Sequence, residues 1–170
     1  MRSIALAACV VIVAGCSGGS EPSPEAASPA REAAGTTCPV TLPNGSIPSS
    51  ARDWGGRNPE DSHGNGKLWT LFWPHNVVIA TPDFVQDDGA VRMKWPWWRG
   101  ARGELTLSGR RLDSEAPRVR AEIPDAYGRS GFQPSAIFFP TEGCWEITGR
   151  VGDASLTFVT IILKASRHSP

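Results

Sequence analysis

From residue 67 onward the chain alternates. Short runs place an apolar side chain at every second position, and Gly, Pro, Asn or Asp cuts each run off after a few residues. That period of two is the mark of strands with one buried face. Eight such runs predict strands at 67–73, 76–80, 90–95, 104–110, 118–123, 135–139, 144–151 and 155–164. No stretch keeps the helical spacing of apolar residues over three turns. So many short strands with turns this close argue for an all-β sandwich or barrel. Pro96 has no amide hydrogen and restricts Trp95, so the strand starting at 90 is expected to end there, with Gly100 and Gly103 loosening the connection that follows. The clearest unit is the last hairpin. Trp145, Ile147 and Gly149 share one face, while Cys144, Glu146, Thr148 and Arg150 share the other. Gly152-Asp153 suits a two-residue type II′ turn, after which Leu156 and Phe158 return to the core face.

This hairpin, Gly143-Cys144-Trp145-Glu146 and onward, resembles the closing hairpin of immunoglobulin-like sandwiches. Similar Gly-Cys-Trp-Glu hairpins occur in small bacterial lipoproteins. The resemblance covers about 30 residues around 138–163 and implies an immunoglobulin-like antiparallel β-sandwich, not an activity. It departs from antibody domains, where a core cysteine pair joins the two sheets. Cys144 here alternates with the core residues, so its bridge is expected to pin an incoming segment against an outer face or edge.

The amino terminus has another pattern. Met1-Arg2 precedes an apolar run at 4–14, and Val13-Ala14-Gly15-Cys16 closes it. The closing residues resemble the lipobox of bacterial lipoproteins. That resemblance implies a signal peptide over 1–15, lipid on Cys16, and anchoring on the extracytoplasmic side of the cell membrane or the outer membrane. A run this short falls below the roughly 20 residues that a spanning helix needs. Residues 16–37 then read as a lipidated, disordered tether, rich in Ser, Gly, Pro, Ala and Glu and lacking large apolar side chains. Residues 38–167 form the sandwich domain and 168–170 a tail. With Cys9 removed and Cys16 lipidated, Cys38 and Cys144 are the remaining pair, and an oxidising compartment favours their disulfide.

The domain carries 15 Lys and Arg against 14 Asp and Glu. Nucleic-acid binding, which needs a strongly basic face, does not fit that balance. Arg99, Arg102, Arg110 and Arg111 form a local excess that reads as a solvated strand pair or, less simply, as an anion site. Residues 52–65 hold Asp53, Glu60, Asp61 and His63 at spacings that match no calcium loop or zinc pattern. Gly128-Arg129-Ser130-Gly131-Phe132 lacks the last glycine of a nucleophile elbow. No metal site, cofactor or catalytic residue is read from the sequence, although paired carboxylates for sugar cleavage need only proximity. Seven tryptophans are many for this length. Consecutive Trp97 and Trp98 in an extended segment point to opposite sides. Either loops fold over these rings, or an exposed ring beside Arg99 and Arg102 contacts a partner. The function expected is a non-enzymatic binding module for an envelope protein or glycan. The alternatives are an inhibitor of an extracytoplasmic enzyme and a hydrolase.

Overall fold

The computed structural model describes residues 37–50 and 59–166. Cys16, the leader, residues 16–36 of the tether, Asp53 and Trp54 lie outside them. The domain is an all-β sandwich of two sheets. Numbered in chain order, the first sheet holds β1 (Ser62–Gly64), β2 (Leu68–Leu71), β4 (Val91–Arg99), β7 (Gly131–Phe139) and β6 (Arg120–Glu122), in the spatial order β1-β2-β4-β7-β6. The second holds β3 (Val77–Ala80), β5 (Thr106–Arg111), β8 (Gly143–Val151) and β9 (Ala154–Lys164), ordered β3-β9-β8-β5. All pairings are antiparallel except β3 with β9.

Each of the eight alternating runs forms a strand; β1, only three residues long, carries too little alternation to be read. The β8–β9 hairpin has the predicted faces, with Trp145, Ile147 and Gly149 buried. Gly152 takes a positive φ of 55° and Asp153 does not, which is the II′ rather than the I′ pattern.

The strand that was expected to stop at Pro96 runs on to Arg99. Pro96 lies opposite Pro134 in the β4–β7 ladder. Two prolines can face each other only at a non-hydrogen-bonded site, where neither amide is needed by the partner. Their nitrogens then point to the outer sides, where the sheet narrows. β2 pairs with β4 only from Trp97 to Arg99, and β6 pairs with β7 only from Ala136 to Phe138. The missing amides therefore cost no ladder bond.

Val91, Met93, Trp95 and Trp97 of β4 point inward and meet Ile147, Leu156, Phe158 and Ile162 of the other sheet. Trp95 stacks on Phe158 at 5.3 Å, and Phe139 meets Trp145 edge-on at 5.7 Å. Trp97 fits because Gly149 lies opposite it; a Cβ there would come within 2.5 Å of the indole. Truncating a core ring of this size costs about 3–5 kcal/mol.

The segment after Thr37 closes one side of the sandwich. Cys38 bonds to Cys144 on the outer face of β8. The Thr41 amide donates to Val159 of β9 at 2.9 Å, and the Asn44 and Gly45 amides donate to Ser62 of β1. The two sheets are thereby bridged by one extended segment. Buried Asn76 locks it, donating from Nδ2 to the Thr41 and Val159 carbonyls at 3.0 and 2.8 Å. Its φ of 54° lies in the left-handed region, which Asn tolerates better than most residues.

The disulfide closes a loop with a sequence separation of 106. On the chain-entropy model that contributes roughly 4–5 kcal/mol. Reduction, or Cys144→Ala, is expected to lower the melting temperature by about 10–20 °C in scanning fluorimetry. An unchanged melting temperature on complete reduction would show that the bridge adds no stability.

Candidate functional site

The alternate residues of β4 and β7 face away from the core and, with β6, build a patterned outer surface. Strand register sets its rows. Arg92, Phe138 and Arg120 form one row, Lys94, Ala136 and Glu122 the next, then Pro96 beside Pro134, then Trp69, Trp98 and Phe132. In the first row Phe138 is 5% exposed because two guanidinium groups cover it, Arg120 at 3.6 Å and Arg92 at 5.5 Å from the ring centre. Glu122 accepts from Arg120 at 2.8 Å and lies 4.0 Å from Arg92. Ala136 and the two prolines keep the middle of the surface low.

Chain leaving the flanking strands raises the walls. After β2 comes Trp73, and Phe84 ends the short turn Pro82–Phe84 before β4. After β6 come Ile123, Pro124 and Tyr127. Together they enclose a groove of about 1230 Å³. Phe84, Tyr127 and Phe132, at 39, 41 and 39% exposure, are the exposed aromatic residues among those described, and all three line it. Tyr127 meets Phe132 edge-on at 5.9 Å. Lys94, the Trp73 indole N–H and the Tyr127 hydroxyl have no partner among the described residues. A concave, mostly aromatic surface with a few unspent polar groups is the usual form of a binding site.

Arg99 holds one wall from behind. It is 3% exposed and faces the interior at the end of β4. Its Nη1 donates to the Gly103 carbonyl at 2.9 Å, and its Nη2 donates to the Tyr127 and Gly128 carbonyls, both at 3.0 Å. Burial lowers the pKa of its guanidinium, which still stays charged. Three carbonyls thus replace water around a buried cation and fix the loop that presents Tyr127.

The four residues singled out from sequence are not one site. Trp97 is fully buried and Arg99 pins a loop, so of the two alternatives the exposed ring beside Arg99 does not hold for Trp97, and the strand, expected to give way to a connection after Pro96, carries both residues. The continuing pleat of β4 is the reason. Trp98 lines the groove, and Arg102 is exposed but takes no part in it. The arginine excess also disperses. Arg110 pairs with Glu146 at 2.8 Å and Arg111 with Asp113 at 2.7 Å. The bond from Arg111 holds the Asp113 carboxyl below its usual range. His63 stacks on Phe72 at 5.1 Å, and burial lowers its pKa. Among the described residues no three His, Cys, Asp or Glu side chains converge on a metal position. Phe84, Tyr127, Phe132, Trp73 and Lys94 were not singled out; the one sequence signal that could have found any of them is the every-second-position spacing of Phe132, Pro134, Ala136 and Phe138, which runs past the start of the predicted strand at 135. No protein-family model matches the chain, and no curated protein sequence matches it.

Replacing Arg99 by Met leaves three carbonyls without their donor. The variant is expected to lose about 2–4 kcal/mol of stability, on the scale of charged hydrogen bonds and stranded acceptors. Amide exchange of residues 125–129 should quicken more than that of β8. Equal exchange across both regions would refute the pinning role.

Proposed function

We propose that this chain is a lipid-anchored extracytoplasmic lipoprotein whose immunoglobulin-like sandwich binds an envelope protein through the groove, without catalysis. One observation carries the reading: the exposed aromatic surface of the described domain is gathered on a single concave face. Aromatic residues at a concave, partly desolvated surface are the side chains that dominate partner binding. Among the described residues Glu122 is the one carboxylate lining the groove, and it is held by Arg120. That favours binding over sugar cleavage, which uses two carboxylates across the bond. The immunoglobulin-like relation rests on the β8–β9 hairpin, and the lipid anchor on the residues up to Cys16. A lipidated cysteine with more than one acyl chain holds a domain at the membrane stably.

Anchoring is tested by detergent phase partition with mass spectrometry. The wild-type chain should enter the detergent phase with Cys16 modified and 1–15 removed. Cys16→Ser should enter the aqueous phase or persist as precursor. An unmodified wild-type Cys16 in the aqueous phase would refute it.

The groove is tested by placing a photo-crosslinking amino acid in living cells at Phe84, at Phe132, or at Ser108, which is exposed on β5 of the other sheet. The same protein adduct is expected from both groove positions and not from Ser108. An adduct pattern indifferent to position, or none at either groove position, would remove the groove as the binding face.

A further inference from the structure

We infer that the groove takes an extended, acidic, proline-rich peptide segment in the polyproline II conformation. The inference rests on the groove being the binding face and names what that face is built to hold.

Size comes first. The volume of about 1230 Å³ exceeds the roughly 300–1,000 Å³ typical of small-molecule pockets. From Arg92 to Trp98 the floor follows six steps of β4, about 20 Å at 3.3 Å per residue. A polyproline II segment rises about 3.1 Å per residue with three residues per turn, so six or seven residues, two turns, match that length. Phe84 lies near one end, where Val85 bridges to Val91, and Phe132 and Tyr127 lie at the other. Aromatic rings spaced along a groove are the usual receptor for this conformation, which loses little entropy on binding because it is already extended.

Hydrogen bonding narrows the class. The unspent groups are Lys94, the Trp73 indole N–H and the Tyr127 hydroxyl, a set weighted to donors. Among the described residues that line the groove the single carboxylate is Glu122, and one of its oxygens already accepts from Arg120. Sugar hydroxyls donate as well as accept, so a neutral glycan would bury donors with too few acceptors to meet them. Proline offers the reverse: a carbonyl at each residue and no N–H. Strand addition takes place at a sheet edge, whereas the groove presents the outer face of β4 and β7.

Charge sets the sign. Arg92, Lys94 and Arg120 oppose Glu122 on this surface, a net of 3 − 1 = +2. Glutamates or aspartates between the prolines would meet Lys94 and the loosely held Arg92, and raise the rate of encounter at low salt.

The test uses the detergent-purified full chain and titration calorimetry. Four probes are compared: a nine-residue peptide of prolines and glutamates, its lysine-for-glutamate version, its alanine-for-proline version, and a neutral β-linked glucose hexamer. The first should bind at least tenfold tighter than any other, and weaken as salt rises from 0.05 to 0.5 M. Lys94→Glu, at an exposed position, should abolish the preference for glutamate over lysine. Phe132→Ala should weaken binding tenfold or more, with the melting temperature recording that the fold is kept. Binding of no peptide, equal binding of the acidic and basic peptides, or binding of the sugar in their place would each overturn the inference. If groove crosslinks persist under those outcomes, the groove remains the binding face and only its occupant is wrong; if they are absent too, both readings fall.

Discussion

The pleat of β4 is the constraint on which the rest depends. The strand pairs with β7 along its whole length and with β2 from Trp97 to Arg99, and it has a packed core on one face only, so each residue is committed by parity to the interior or the outside. The odd positions supply two indoles to the core and end in Arg99, which turns inward to hold the neighbouring loop. The even positions supply the cations, a proline and Trp98 to the groove. A one-residue slip would bury Lys94 and expose Trp95 and Trp97, which is why the register cannot drift. Gly149 enforces the same choice from the opposite sheet, since only a residue without a side chain leaves room for Trp97.

A sandwich held by one central strand still has open sides. The segment at 38–46 closes one of them with a covalent bond, two backbone bonds to the first sheet, one to the second and the buried Asn76 amide. These contacts are of different kinds and act on different states. The disulfide restricts the unfolded chain, whereas the Asn76 amide ties the Thr41 carbonyl of the segment to the Val159 carbonyl of β9 in the folded state. Covering the side of β9 beyond β3 also removes a run of unpaired backbone groups that could recruit another strand.

Much of this was legible in the sequence where a signal was local. The last hairpin could be read because alternation, Gly152 and the outward parity of Cys144 all lie within 20 residues. The disulfide could be read once the lipobox resemblance set Cys9 and Cys16 aside and an oxidising compartment was expected. Pro96 misled because its effect depends on what lies beside it: a proline ends a strand that has a neighbour to bond, and here the neighbour has already stopped. Trp97 and Trp98 were rightly sent to opposite sides, but without the strand's continuation nothing said which side was core. Phe84, Tyr127 and Phe132 come from three separate places, and only the register of β4 and β7 brings them together. Convergence of that kind leaves no mark on a single chain.

Why the groove stays open can be argued from strand length. Phe132 and Phe138 lie on the same face of the same strand, yet one is 39% exposed and the other 5%. Phe138 has a paired strand on each side, and each contributes an arginine over its ring. Phe132 has Trp98 on one side and no strand on the other, because β6 ends at Glu122. The same happens diagonally across, where β2 ends at Leu71 and leaves Arg92 and Lys94 without a neighbour. At these two corners the sheet is only two strands wide, and the opposed prolines between them offer no amide to a further strand. The chain released from β2 and β6 turns outward there and stands as the walls carrying Trp73 and Tyr127. The groove is thus what remains when two flanking strands stop short on opposite sides of a proline-paired waist. Lengthening either strand would cover the aromatic floor as fully as Phe138 is covered now.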